Sequence, residues 1–208
     1  MNPHLDDWLS SQRMGNVKRK RSWMKFFRQC YERSIPSFGN QPKMDVFDEH
    51  SHYSFHYGVP TNDLRTIASW TLTECQGNER RIAKLIPLLW KRKGREDCLL
   101  AGFFLANLPP SAIQENVWMV FIHLLQKTEP VEIILEISAE LKRAGHEIPN
   151  DDWFVAMAEQ STLWHQYAVL ILSQSNTLSE QCRLLIVSAP KGGELFERIR
   201  ESILVPKN

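Results

Sequence analysis

Hydrophobic residues recur at helical spacing from Thr61 to the end of the chain. Three sets fit the i, i+3, i+4 and neighbouring positions of one helix face: Ile82, Leu85, Ile86 and Leu89; Trp118, Phe121, Ile122 and Leu125; and Ile133, Ile134, Ile137 and Leu141. Since residues at this spacing share one side of a helix, each set predicts an amphipathic helix with one buried face. No segment predicts a strand, because even Tyr167–Leu172, which is rich in strand formers, continues the helical register of Leu163.

Helix-breaking residues divide this region into predicted helices of about 12 to 18 residues. The breaks lie at Gly94, Pro109 and Pro110, Pro130, Gly145 with Pro149, Asn176, and Pro190 with Gly192 and Gly193. Pro87 lies inside one helical pattern, and because proline has no N–H to donate we expect it to kink that helix. Successive helices joined by short turns favour antiparallel pairs stacked side by side. We therefore predict an all-α fold, a HEAT-like α-α superhelix, over residues 61–208.

The first 60 residues follow a different pattern. Residues 1–34 predict a basic amphipathic helical arm, with Trp23, Phe26 and Phe27 on one face. Residues 35–60 predict a connecting loop, because prolines and glycines interrupt any regular period there. Two compatible interpretations of the arm stay open: its aromatic residues dock on the core, or its basic residues contact phosphates.

Composition limits the class of protein without indicating its function. The chain has 208 residues, of which 43% are hydrophobic and 24% charged, with a net charge of +1. These values are typical of a globular domain and exclude wholesale disorder or a collagen-like chain. Four widely spaced cysteines predict reduced thiols and no disulfides. The N-terminus has no apolar leader region and no stretch is apolar enough for a membrane span, so we expect a cytoplasmic protein that does not enter the membrane.

Charge is distributed unevenly along the chain. Basic residues concentrate between Lys18 and Arg21 and again between Arg65 and Arg95. Acidic residues dominate later: Glu129, Glu132, Glu136, Glu140, Glu147, Asp151, Asp152 and Glu159 outnumber Lys142 and Arg143. Any contact with a polyanion is therefore expected in the N-terminal half.

Two neighbouring segments carry a resemblance to a known family. The segment YGVPTNDLRTIASW spans Tyr57 to Trp70, and ERRIAKLIPLLWKRKGREDCLLAGFFLANLP spans Glu79 to Pro109. Together they resemble the opening repeats of the DNA alkylation repair family of HEAT-like proteins. In that family a Gly-Val turn precedes a Leu-Arg pair, and a later Leu-Trp precedes an Arg-Glu pair. The corresponding residues here are Gly58, Val59, Leu64, Arg65, Leu89, Trp90, Arg95 and Glu96. A second segment around Trp164, SxLWHQYAVL, resembles a late helix of the same family.

The resemblance implies a C-shaped superhelix whose basic concave face holds duplex DNA, or another nucleic acid, by its phosphates. The residues expected to bind are Lys18, Arg19, Lys20, Arg21, Arg65, Arg80, Arg81, Lys84, Trp90, Lys91, Arg92, Lys93, Arg95 and Trp164. The basic side chains would contact phosphates, and the two tryptophans would line the groove.

The catalytic residues that the resemblance implies are absent from the sequence. Catalytic members of the family carry an Asp in a Trp-rich motif, whereas the corresponding stretch here, TEPVEIILEISAELKRAG, has neither residue. Gln166 and Tyr167 replace the family's late Arg pair. We therefore expect a DNA-binding protein without base-excision activity and assign no catalytic residue. Two alternatives stay open: a scaffold whose groove takes a protein partner, and a glycosylase that uses Glu132 or Glu136 as a displaced carboxylate.

Other candidate sites carry less weight. His50, His52 and His56 could place two imidazoles on a zinc ion, but a loop packed by aromatic residues explains the segment more simply, and we predict no metal site. The sequence has neither a nucleophile motif nor a nucleotide-binding glycine loop. No cofactor is therefore expected.

Overall fold

Helices make up the regular structure of the protein in the computed structural model, which describes residues 2–15, 17–35, 53–125 and 129–205. The helices within these ranges are α1 (Pro3–Ser10), α2 (Lys20–Ser34), α3 (Thr61–Glu74), α4 (Glu79–Ala83), α5 (Ile86–Lys91), α6 (Arg95–Asn107), α7 (Val117–Leu124), α8 (Val131–Arg143), α9 (Asp151–Ala158), α10 (Thr162–Leu172), α11 (Glu180–Ser188) and α12 (Glu194–Leu204). The described ranges contain no β-strand, only one isolated bridge between Phe55 and Gly94. The all-α prediction is confirmed at this level.

The predicted helix breaks agree with the observed helix ends, but the helices are shorter than predicted. Gly94, Pro130 and Gly193 each lie immediately before a helix, at the N-caps of α6, α8 and α12. Only α2, α3, α6 and α8 reach the expected length, with 13 to 15 residues.

Pro87 does not kink a continuous helix, so that expectation is wrong. The chain forms two short helices instead, α4 and α5, and Pro87 lies in the first turn of α5. An N–H in the first turn of a helix has no partner within that helix, so a proline there sacrifices no hydrogen bond. The chain therefore accommodates the proline by starting a new helix.

The chain divides into two compact units, residues 1–124 and 125–208. The division does not coincide with the predicted boundaries at residues 34 and 60. It does follow the charge: the first unit has 17 basic and 12 acidic residues, and the second has 8 basic and 12 acidic. The predicted polarity of charge is thus a difference between two folded units.

In the first unit, α1 and α2 pack against the helices that follow them. Trp23, Phe26 and Phe27 are buried, and the ring centroid of Phe27 lies 5.8 Å from that of Phe104 in α6. The Phe26 ring contacts Trp70 in α3 at 5.2 Å. Helix α6 is buried continuously from Glu96 to Ala106 and forms the centre of this unit. The predicted arm therefore docks its aromatic face on the core.

In the second unit, α8, α9 and α10 supply most of the buried apolar side chains. Ile133, Ile134, Ile137 and Leu141 face inward from α8, as their spacing predicts. Tyr167–Leu172 is helical and fully buried within α10, which confirms its helical interpretation. Arg143 pairs with the buried Glu140 one turn before it.

Some predictions concern residues outside the described ranges. His50 and His52 lie there, as does most of the predicted loop at 35–60, of which residue 35 and residues 53–60 are described. Within the described ranges, no group of three potential metal ligands comes together. None of the described helices is both long and apolar enough to cross a membrane. The four cysteines are buried and none forms a disulfide.

Candidate nucleic-acid interface

A buried carboxylate connects the two segments, 57–70 and 79–109, that carry the family resemblance. Glu96 is fully buried in the first turn of α6, and its Oε1 accepts hydrogen bonds from the backbone N–H groups of Tyr57 at 3.1 Å, Gly58 at 3.0 Å and Val59 at 3.2 Å. The neighbouring Arg95 donates from Nη1 to the Val59 carbonyl oxygen at 3.1 Å. Hydrogen bonds that involve a charged group are stronger than those between neutral groups, so Glu96 and Arg95 together fix the turn that precedes α3.

A second buried carboxylate lies next to the first. Asp97 Oδ1 accepts a hydrogen bond from the Tyr31 hydroxyl at 2.9 Å, and Asp97 Oδ2 lies 3.0 Å from Nε of Arg92. Burial raises the pKa of Asp97 to about 6, against the opposing effects of Arg92 and of the Tyr31 hydrogen bond. The guanidinium of Arg92 also lies over the Phe55 ring at 5.5 Å. This cluster ties α2, α5 and α6 to the 53–59 segment.

The turn between α5 and α6 is held by the same segment. Ser54 N–H donates to the Lys93 carbonyl at 2.8 Å, and Arg95 N–H donates to the Phe55 carbonyl at 3.1 Å. Lys93 has φ +55°, a left-handed conformation that a non-glycine residue seldom adopts. A Cβ at Gly94 would lie 2.2 Å from the Phe55 ring, so glycine is needed there for the close approach. The exposed Lys93 therefore lies in a fixed turn, two residues after the exposed Lys91 at the end of α5.

Four of the predicted phosphate-binding arginines have internal partners. Arg92 pairs with Asp97, and Arg95 binds the Val59 carbonyl. Arg81 donates to the Gly15 carbonyl at 2.9 Å. Arg65 lies over the Phe103 ring at 5.3 Å and donates to Asn62. These contacts assign the four arginines a role in holding the fold.

The prediction that Trp90 lines a nucleic-acid groove is wrong. Its side chain is 2% exposed, and its ring packs edge-on against Phe121 with 6.2 Å between the centroids. An indole that is covered in this way has no free face on which a base or sugar could stack.

The remaining eight predicted basic residues are exposed and all belong to the first unit. We refer to them as the exposed basic set: Lys18, Arg19, Lys20, Arg21, Arg80, Lys84, Lys91 and Lys93. Within the described part of the chain, none of them forms an ion pair. Unpaired cations on a surface leave a positive potential that attracts polyanions.

Hydrogen bonds attach the chain just before Lys18 to helices α3 and α4. The Gly15–Arg81 hydrogen bond attaches the segment before α2 to α4, and Met14 N–H donates to Glu74 Oε2 at 3.3 Å near the start of that connection. Trp23 Nε1–H then donates to the Val17 carbonyl at 3.0 Å. The chain that leads to Lys18–Arg21 is therefore attached at Gly15 to α4, which contains Arg80 and has Lys84 as its C-cap.

Helix α2 begins with an unfavourable distribution of charge. Lys20 and Arg21 lie in its first turn, Arg19 is the N-cap, and this turn contains no acidic residue and no side-chain cap. The N-terminus of a helix carries a partial positive charge, so cations there destabilise the helix. Nothing in the packing of α2 requires these side chains, since all three are exposed.

The predicted residues of the second unit are in different environments. Trp164 is half-buried and packs edge-on against Tyr167, at 5.5 Å between centroids. Gln166 donates to the Lys191 carbonyl at 2.8 Å, so it connects α10 to the segment before α12. Glu132 is exposed and Glu136 is half-buried on α8.

Neither the role of Asp97 nor the structural use of Glu96 was predicted from the sequence. The signal for both is the pair of acidic residues that opens the otherwise apolar helix α6, because acidic side chains in such a helix need buried partners. Comparisons with protein-family models, with curated proteins and with solved structures find no match.

Proposed function

We propose that this protein binds duplex DNA, or another nucleic acid, by its phosphates through the exposed basic set. The observation that carries the proposal is the exposure of eight cations on one folded unit without an ion pair among the described residues. A surface ion pair adds little to the stability of a protein. A surface cation that contacts a phosphate, in contrast, releases a counterion from the nucleic acid, and each of the eight cations on this unit can do so.

The resemblance of the 57–70 and 79–109 segments to the DNA alkylation repair family favours duplex DNA as the ligand. With it we propose the HEAT-like stacking of helix pairs that the sequence pattern predicts. The contacts of Glu96 and Arg95 with the turn at Gly58 and Val59 support a structural role for the matched motif. A motif that organises the scaffold can persist when the chemistry does not.

We further propose that binding takes place without excision of a base. The segment equivalent to the family's catalytic motif has no Asp, and of the two glutamates considered as substitutes there, Glu132 is exposed and Glu136 is half-buried, whereas the buried Glu140 pairs with Arg143. A carboxylate that stabilises developing positive charge acts best in a water-excluded site, and an exposed side chain lacks that environment.

The test is fluorescence-anisotropy binding to plain and alkylated duplexes, with base release followed in the same samples. We expect both duplexes to bind equally and no base to be released. The substitution Lys91→Glu with Lys93→Glu should weaken binding at least about tenfold, since phosphate contacts are lost and repulsion is added. Arg92 is left intact, because a glutamate there would face the buried Asp97 and disturb the fold.

A matched control is Arg183→Glu with Arg198→Glu, two exposed residues of α11 and α12 that change the net charge equally. Unchanged affinity in the Lys91 and Lys93 variant would contradict the proposed interface. Release of base by the wild-type protein would contradict the proposed loss of catalysis.

A further inference from the structure

A groove in the first unit lies between α4, α5, α6 and α7. It has a volume of about 700 Å³ and is open to solvent. Its lining is mainly aliphatic, with contributions from Ala83, Ile86, Leu105, Val120 and Leu124. A groove with an aliphatic lining that stays open to solvent is characteristic of sites that bind another molecule.

The charges at the edges of this groove are asymmetric. Arg80 and Lys84, four residues apart on one side of the groove, are both exposed and form no ion pair with any described residue. Glu115 and His123 are also part of the lining, and Glu115 Oε2 lies 3.8 Å from His123 Nδ1. An occupant with carboxylates along one side would therefore complement the α4 edge.

The chemistry of the lining distinguishes between classes of occupant. The described residues that line the groove include no phenylalanine, tyrosine or tryptophan, and the imidazole of His123 is the one ring among them, so the groove offers a nucleobase little surface on which to stack. An amphipathic helix needs a different surface: an aliphatic groove that takes side chains at i, i+3, i+4 and i+7, and opposite charge at its edge. The aliphatic floor and the Arg80 and Lys84 edge provide both features.

We propose that this groove binds an amphipathic helical segment of a partner protein, with leucine-like side chains on its floor and carboxylates against Arg80 and Lys84. This interaction is separate from the phosphate contacts of Lys18–Arg21, although the α4 edge belongs to both surfaces. The aliphatic side chains supply most of the affinity, and the charged edge fixes the orientation of the helix.

The test uses a fluorescein-labelled synthetic helix of about 15 residues, with Leu at i, i+3, i+4 and i+7, Glu along one flank of the leucine face, and Ala and Gln at the remaining positions so that like charges do not unfold it. Two control peptides have the same leucines scrambled off one face, or every Glu replaced by Lys. We expect the acidic amphipathic peptide alone to bind the full-length protein.

Two neutral substitutions, Ala83→Gln and Val120→Gln, place a polar side chain on the floor of the groove. Each should weaken the acidic peptide at least about tenfold while leaving duplex affinity unchanged. Ala139→Gln, at an exposed alanine of α8, is the matched control and should change neither. Circular dichroism reports folding, and Ala83→Gln decides the result if Val120→Gln does not fold.

Separate outcomes identify which proposal fails. Equal binding of the scrambled peptide, no binding at about 100 µM, or affinity unchanged by both groove substitutions would each overturn the groove proposal. Duplex binding that falls in Ala83→Gln and Val120→Gln would also overturn it, because the nucleic acid would then occupy the floor. Loss of duplex binding in Lys20→Glu with Arg21→Glu, with peptide binding intact, would support two separate interactions.

Discussion

At the scale of single residues, the two acidic side chains in the first turn of α6 connect that helix to the neighbouring segments of the first unit. Glu96 gathers three backbone N–H groups of the turn before α3, and Asp97 joins Tyr31 to Arg92. Both carboxylates are fully buried. Glu96 fixes residues 57–59, and hydrogen bonds of Ser54 and Phe55 hold the turn that follows Lys91 and contains Lys93.

Replacing Glu96 should destabilise the fold strongly. In Glu96→Gln the neutral amide accepts weaker hydrogen bonds than the carboxylate and introduces a buried NH₂ group without a prepared acceptor. We expect the free energy of unfolding to fall by about 1.5 to 3 kcal/mol. Urea denaturation measures the change, with the exposed Glu132→Gln as control, for which about 0.5 kcal/mol or less is expected. A Glu96→Gln protein as stable as wild type would show that the three contacts contribute little.

Asp97 should make stability depend on pH in a defined direction. Because burial raises its pKa from 3.8 in the unfolded chain to about 6 in the folded one, the folded state holds the proton more tightly. The stability contributed by this group is present below about pH 4 and is lost as the pH rises through 6.

The variant Asp97→Asn isolates this effect. Between pH 4 and 7, Asp97 should lower the unfolding free energy of wild type by about 3 kcal/mol. The Asp97→Asn protein should not show this decrease. Parallel denaturation series at several pH values give the difference between the two proteins. Curves that stay parallel across this range would exclude Asp97 as the titrating group.

At the scale of helices, the sequence predicted the positions of breaks better than the lengths between them. The helix boundaries at Gly94 and Pro130 were predictable from the sequence, because glycine and proline act locally through backbone geometry. Pro87 shows the limit: the sequence alone did not show that the chain would end one helix and begin another rather than kink. Burial of Trp90 likewise depends on Phe121, about thirty residues away.

Helix α2 carries two basic residues in its first turn that lower its own stability. Lys20→Glu with Arg21→Glu places acidic residues in a first turn that has none, so we expect the free energy of unfolding to rise by about 0.3 to 1 kcal/mol per residue. The same variant should bind duplex at least about tenfold more weakly. Thermal denaturation and anisotropy measure the two effects.

The opposite signs make this variant informative. A weaker binder that is also more stable has lost ligand contacts and not its fold. The Arg183→Glu with Arg198→Glu protein again serves as the charge-matched control. If the α2 variant binds duplex as well as wild type does, Lys20 and Arg21 are not part of the interface.

At the scale of the whole molecule, the clearest feature is the separation of charge between two units. The sequence predicted this polarity, because a count of charges needs no knowledge of contacts. It could not separate Arg65, Arg81, Arg92 and Arg95, which have internal partners, from the exposed basic set. That distinction depends on which acidic groups, carbonyls and rings the fold brings near each guanidinium.

The apolar groove between α4 and α7 was also beyond sequence reasoning. Its floor combines residues from four helices, and each taken alone belongs to an ordinary amphipathic pattern. Only Arg80 and Lys84, four residues apart, give a local hint of a shared edge.

The measurement that tests the central claim most directly is the salt dependence of duplex binding by the wild-type protein between about 50 and 200 mM. If the exposed basic set binds phosphates, the logarithm of the association constant should fall linearly with the logarithm of salt concentration, at a slope of about −0.9 per phosphate contact. The slope should become shallower by about one for each lysine removed at positions 91 and 93. Binding that does not change with salt, or no binding at the lowest salt, would contradict phosphate recognition by this surface.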